Sequence, residues 1–216
     1  WQLESAFSSR TAAVAYLCSP FVSRRGLTLE QVCEIAHDRG IPVIVDAASM
    51  LPPRDNLRKY IRQGADMVIY SGGKAVRGPQ GTGILCGRAD LIKAAAANAS
   101  PHQFLGRGMK VAKEEIIGLL SALKIFLGED EEVENLRFSE MAQTVVDALV
   151  EVPGLSVTVE HDDYNYLTPV AIMTFTKDWN GLSRDQVLDQ MANGDPPIFL
   201  HQLGDPDELG VDPLNL

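Results

Sequence analysis

Apolar positions along the chain fall into short runs punctuated by glycine and proline, and their period switches between strand-like and helical. Residues 11–18 (TAAVAYLC), 41–46 (IPVIVD), 67–71 (MVIYS) and 84–86 (ILC) are brief and rich in β-branched or bulky side chains. Near-continuous apolar runs of this length predict strands of a parallel sheet covered on both faces. Between the first two runs, Thr28-Leu29-Glu30-Gln31 reads as a capping box. Leu29, Val32, Ile35 and Ala36 then recur at helical spacing, and Gly40 supplies the stop. A strand–helix–strand unit with a right-handed crossover follows, so the predicted fold class is α/β. Pro52-Pro53 breaks the chain after the second strand, and a short helix over about 57–63 ends at Gly64. Further helices are expected over 91–97 and over 113–126, the latter with an apolar face of Ile116, Leu119, Leu120 and Leu123.

Gly128 interrupts that helix, and another over about 130–150 carries Val133, Leu136, Val145 and Leu149. Its acidic start suits the positive end of the helix dipole. Beyond Pro153-Gly154 the pattern becomes strand (155–159), strand (169–175), helix (183–191) and strand (198–200), a small α+β unit. The expected organisation is therefore a large sheet-bearing part over 1–127, a connecting long helix over 128–152 and a small C-terminal domain over 153–216.

Composition narrows the function classes. No apolar run approaches the roughly 20 residues of a membrane span. A net charge of −10 repels phosphate backbones and argues against nucleic acid as a partner. Cys18, Cys33 and Cys86 share no metal-type spacing, and three thiols suit a reducing compartment. Trp1-Gln2-Leu3-Glu4 has neither a basic nor an apolar leader region, so the expected location is cytoplasmic.

Two ionisable residues stand at the carboxyl ends of predicted strands, where open α/β sheets hold ligands: Asp46 and, after Ser71-Gly72-Gly73, Lys74. An acid for a pyridinium nitrogen and an amine for a Schiff base are the parts a pyridoxal-phosphate site needs. Each has a plainer reading. Lys74 could sit on a surface turn, and Asp46 could cap the next helix together with Ser49 or Asp55. Ala48 is small enough to lie under a flat ring, and Ser71 could offer its hydroxyl to a phosphate. A nucleotide P-loop is excluded, because Ala75 follows Lys74 and Val68 stands where the first glycine would be. His161, Asp162, Asp163 and His201 lack further ligands at suitable spacing and read as turn and surface residues.

Val45-Asp46-Ala47-Ala48, Gly64-Ala65-Asp66, Ser71-Gly72-Gly73-Lys74, Gly78-Pro79-Gln80 and Gly83-Ile84-Leu85-Cys86-Gly87 together carry a resemblance. They resemble the selenocysteine synthase-like group of fold-type I (aspartate aminotransferase-like) pyridoxal-phosphate enzymes. That group includes L-seryl-tRNA(Sec) selenium transferase and D-glucosaminate-6-phosphate ammonia-lyase. Similarity extends to the segments 106–115 and 194–198. The resemblance implies a Schiff base on Lys74, Asp46 against the ring nitrogen and Ser71 at the phosphate. It also places Arg107, Lys110 and Lys113 in a basic segment near the active site, with Arg107 or Lys110 binding the substrate's carboxylate or phosphate; a solvated cationic loop is the alternative. Family members are longer. The part carrying their glycine-rich phosphate loop and ring-stacking aromatic has no counterpart here, nor has the final helix of the small domain, so a partial chain is expected.

On this reading the protein is a pyridoxal-phosphate lyase acting on a small anionic amino acid or amino sugar acid. Lys74 would move the Cα proton, and loss of a β-substituent would lead to ammonia release. The resemblance further implies a homodimer or larger homo-oligomer. Selenium transfer on seryl-tRNA is the alternative that the acidic charge disfavours. A non-catalytic scaffold that keeps the fold is the third.

Overall fold

A computed structural model describes residues 2–19, 26–162, 165–202 and 205–215. Pro20, two residues beyond the first predicted strand, lies outside the described residues, as does Asp163. Contacts divide the chain into two compact units, Trp1–Glu129 and Asp130–Leu216. The long helix therefore belongs to the second unit, and the Pro153-Gly154 turn lies inside it.

The first unit runs α1 (Gln2–Ala6), β1 (Val14–Leu17), α2 (Leu29–His37), β2 (Val43–Asp46), α3 (Asn56–Arg62), β3 (Met67–Ser71), β4 (Gly83–Gly87), α4 (Ala89–Asn98) and α5 (Lys113–Gly128). Its sheet has the order β1-β2-β3-β4, the first three strands parallel and β4 antiparallel to β3. The expected capping box opens α2: Thr28 accepts the Gln31 N–H, and Gln31 accepts the Thr28 N–H in return. Gly40 follows the helix at φ +66, a conformation that L side chains rarely adopt.

Alternation along the strands decides where the core lies. Val43, Val45, Val68 and Tyr70 are fully buried on one face, against which α2 brings Leu29, Val32, Cys33 and Ala36. The other face differs from expectation. Leu17, Asp46, Ile69 and Leu85 form one row across all four strands and are all exposed. Among the described residues one face is covered and the other open, although the sequence carries apolar side chains for both. The predicted apolar stripe of α5 behaves likewise, with Ile116 and Leu120 exposed and Phe126 buried.

A buried carboxylate fastens the opposite edge of this sheet. Asp66, just before β3, accepts the Val43 N–H (2.7 Å), the Arg88 guanidinium (2.7 Å) and a hydrogen bond from His37 (2.8 Å). None of the three cysteines is in a disulfide; Cys18 and Cys33 are buried and Cys86 is half-buried. Burial, helped by Asp66 and Glu30, pushes the Cys33 thiol up to about 11, so it stays protonated and packs as a small hydrophobe.

The second unit sets α6 (Glu131–Leu149) against an antiparallel sheet of β5 (Leu155–Glu160), β6 (Val170–Phe175), β7 (His201–Gln202) and β8 (Glu208–Val211), in the order β5-β6-β8-β7. Helix α7 (Arg184–Ala192) is capped by Ser183. Val157, Met173 and Leu209 form the core, with Val146, Leu149, Val187 and Leu188 packed on it. Two expectations fail. Val133 and Leu136 are exposed while Phe138 and Ala142 are buried, and residues 198–200 form no strand. The pairing is made instead by β7 and by β8, which inserts between β6 and β7. Asp162 closes a local turn by accepting from Asn165, and His201 lies exposed in β7.

Candidate active site

Strands β2 and β3 are adjacent and parallel, so they deliver their carboxyl ends to the same edge of the sheet. Asp46 is paired with Ile69, and Ser71 and the turn after it extend beyond that register. The Asp46 backbone is pinned on both sides: its carbonyl accepts the Cys18 N–H at 2.8 Å, and the next residue, Ala47, donates to Ile69 O at 2.9 Å. Its side chain lies on the open face. Oδ1 accepts the Ala48 N–H at 3.0 Å, and no other described residue supplies a partner for Oδ2. The carboxylate caps no helix, because α3 begins only after Asp55, which pairs with Arg62 instead. Ala48 is half-buried. The loop beyond it is anchored from beneath: Tyr70 donates to Asn56 O at 2.6 Å, and Asn56 donates to Met50 O at 2.7 Å.

The Ser71–Lys74 turn and the 78–82 turn fold onto each other. Ser71 Oγ accepts the Gly73 N–H at 3.3 Å and keeps its own proton to donate. Gly72 donates to Thr82 O at 3.0 Å, and Gly78 donates back to Gly72 O at 2.8 Å. A Cβ on Gly72 would stand 2.2 Å from Thr82 Oγ1, and one on Gly73 would stand 2.7 Å from Gln80 Cα. Only glycine fits such an approach. Helix α5 supports the pair through Leu119, whose Cδ1 reaches to the Gly72 and Gly78 positions. Lys74 itself is exposed, and its amine has no hydrogen bond or ion pair among the described residues.

A second layer of contacts holds the segments around these two residues. Arg54 donates to Phe126 O at the end of α5, stacks 4.5 Å over the Phe126 ring and pairs with Glu129 at 3.3 Å. Glu129 also approaches Arg77 at 4.0 Å. The loop after Asp46, the turn after Lys74 and the end of α5 thus share one charged cluster.

Arg107 and Lys110 stand elsewhere in the unit, between α4 and α5. Arg107 opens a 3₁₀ turn (Arg107–Met109) that Gly106 ties to Asn98 O at 2.9 Å. It is half-buried, and its Nε is buried without a partner among the described residues, an arrangement that favours an incoming acceptor. Lys110 is exposed, and Lys113 begins α5 beside Glu114 at 3.8 Å. No hydrogen bond or ion pair among the described residues joins this segment to Asp46 or Lys74. Residue types alone did not reveal Arg54 or Glu129, which act on groups distant in sequence, nor the role of Gln80, whose bond to the Gly73 carbonyl forms only in the folded turn. The one available signal was Gln80 itself, a donor side chain lodged between Pro79 and Gly81.

Three parallel strands and an antiparallel fourth, with Asp46 and the Ser71–Lys74 turn at one edge, form an architecture shared with the fold-type I pyridoxal-phosphate enzymes. The profile of the aminotransferase class-V family matches residues 2–177, and the chain belongs to that family. It is 35% identical over 97% of its length to 5'-C-glycyluridine monooxygenase-decarboxylase of a Streptomyces species, covering 51% of that protein. It is 32% identical over 94% of its length to D-glucosaminate-6-phosphate ammonia lyase of Salmonella typhimurium, covering 53%. A solved D-glucosaminate-6-phosphate ammonia-lyase superposes over the whole chain with a TM-score of 0.71 at 30% identity, the chain spanning 56% of it. Alanine–glyoxylate aminotransferase from Nostoc, at 14% identity and a TM-score of 0.58, shares the fold. The chain thus spans about half the length of the curated relatives it matches.

Proposed function

We propose that Lys74 and Asp46 form the chemical half of a pyridoxal-phosphate site, in a lyase acting on a small anionic amino acid or amino sugar acid. The observation that carries this reading is that one edge of the sheet carries both an amine without a partner among the described residues and a carboxylate with one oxygen unpartnered among them. The donor set fits the cofactor. Asp46 Oδ2 would accept from the ring nitrogen, Ala48 would lie beneath the ring, Ser71 would donate to the phosphate and Lys74 would bond the aldehyde carbon. When bound, the cofactor supplies an electron sink for negative charge developing at the substrate Cα.

The remaining work belongs to the chain. Asp46 would keep a positive charge on the ring nitrogen, Lys74 would take the Cα proton and hand it to the departing β-substituent, and the pinned strand ends would hold both in place. Loss of a β-substituent then leaves an enamine whose hydrolysis gives a keto acid and ammonia. Arg107, whose Nε has no partner among the described residues, or Lys110 would bind the substrate's carboxylate or phosphate, arginine being suited to bidentate anion recognition. The ammonia-lyase relative supports this substrate class. The Streptomyces relative, named a monooxygenase-decarboxylase, favours a second reading, decarboxylation with dioxygen as the oxidant. Selenium transfer has weaker support, at 27% identity over 70% of the chain and against a net charge of −10.

A small-molecule substrate, a cytoplasmic location and a homodimer or larger homo-oligomer complete the proposal. Cysteines outside any disulfide support a reducing compartment, and the oligomer rests on family tendency. No described helix is long and apolar enough to cross a membrane. The test is incubation with pyridoxal phosphate followed by borohydride and peptide mass spectrometry. Covalent cofactor on Lys74, lost in Lys74→Ala, is expected; its absence from Lys74 sinks the enzyme reading and leaves the scaffold. A panel of amino sugar acids and β-substituted amino acids, assayed for ammonia, keto acid and CO2, then separates elimination from decarboxylation.

A further inference from the structure

Three consecutive carbonyls in the lysine turn are each taken by a residue of the following segment. Gly78 donates its N–H to Gly72 O at 2.8 Å, and Arg77 donates its N–H to Lys74 O at 2.8 Å. Between them, Gln80 Nε2 donates to Gly73 O at 2.9 Å. Only this middle bond comes from a side chain. The Gly73 carbonyl belongs to the peptide unit that joins Gly73 to Lys74, so a grip there sets the direction in which the Lys74 Cα–Cβ bond leaves the backbone. Glycine at position 73 would otherwise leave that peptide free to rotate.

The fit is close on both sides. A Cβ on Gly73 would stand 2.7 Å from both Gln80 Cα and Gln80 Oε1. Arg77, at φ +57, occupies the left-handed region that non-glycine residues avoid, and such a turn persists only when its surroundings over-determine it. Lys74's amine has no hydrogen bond or ion pair among the described residues. Backbone rigidity beneath an unpaired amine is what a residue aimed at an incoming aldehyde requires.

We propose that Gln80 is a positioning residue for the Lys74 amine, acting through the Gly73–Lys74 peptide. Gln80 has this role only if Lys74 attaches the cofactor, so the claim rests on that reading. The test uses the whole chain and two variants, Gln80→Leu and the control Thr82→Val. The control deletes the Thr82 Oγ1 to Pro79 O bond (2.6 Å) in the same 78–82 turn and leaves the carbonyls of 72–74 engaged. Two quantities are read: the rate of borohydride-fixed pyridoxal phosphate appearing on Lys74, and hydrogen exchange at the Arg77 and Gly78 amides.

Gln80→Leu is expected to slow adduct formation about fivefold, the factor one net hydrogen bond is worth, and to speed exchange at both amides. Exchange in α2 and in the second unit stays unchanged, and Thr82→Val keeps the wild-type adduct rate. Wild-type adduct rates in Gln80→Leu overturn the assignment, as does an equal loss in Thr82→Val, which would mark a general effect of the turn. If wild-type protein forms no adduct on Lys74, the cofactor reading fails. Exchange then decides whether the clamp exists: unchanged Arg77 and Gly78 amides in Gln80→Leu overturn it, and faster ones sustain it.

Discussion

At Asp66 one carboxylate meets three donors in a nearly dry site, and the balance of forces there has a pH signature. Burial works to raise its pKa, but the Val43 N–H, His37 and the Arg88 guanidinium together outweigh it and hold the carboxyl below its usual range. A folded-state pKa below the unfolded value adds stability above the ordinary carboxylate range, and that stability is lost as pH falls through the folded pKa. Wild-type protein should therefore lose urea resistance on acidification below about pH 4, the unfolded-state value. Asp66→Asn, which keeps the shape and removes the charge, should be about 2 kcal/mol less stable at pH 7 and show a shallower acid limb. Equal slopes for the two proteins in urea midpoints measured against pH would refute the role assigned to Asp66. Asp46, on the open face and hydrogen-bonded only to its own loop among the described residues, offers no such stabilising network. Its second oxygen has no partner among the described residues.

At the level of elements, legibility followed how local each signal was. Helix α2 was readable because its start is encoded within four residues, and Thr28→Ala should cost about 1 kcal/mol, checked by thermal or urea unfolding. Strand β3 was equally clear, bounded by a buried acid on one side and two glycines on the other. Strand β8 was missed: it is four residues long and contains Gly210, so it shows neither alternation nor β-branched enrichment, yet Leu209 is fully buried in it. On α6, Leu149 packs on the core as expected, but of Val133, Leu136, Phe138 and Ala142, which all offer apolar side chains, tertiary packing buries only the last two. The site divides in the same manner. Asp46 and Lys74 were visible as charges ending apolar runs, whereas Gln80 acts on the Gly73 carbonyl and Arg54 on the Phe126 carbonyl, pairings set by the folded chain.

For the molecule as a whole, the two faces of the four-stranded sheet pose the sharpest question, because the same strands carry opposite environments. Val45 and Val68 are sealed at 0% exposure, while Leu17, Ile69 and Leu85 on the other face are 52%, 38% and 41% exposed. Predominantly parallel sheets are stable with both faces covered, and a contiguous apolar face in water favours association. Val45→Lys places a charge in the sealed core and should prevent folding, as an uncompensated buried charge does. Leu85→Lys on the open face should change stability by less than about 0.5 kcal/mol, as surface substitutions do, and should reduce binding of an apolar dye. Urea unfolding together with dye fluorescence on the 216-residue chain tests both. If Leu85→Lys unfolds the protein as Val45→Lys does, the row Leu17–Asp46–Ile69–Leu85 is covered in solution. Asp46 would then be a buried carboxylate in need of a positive partner, and whatever covers that face would have to leave it access to one.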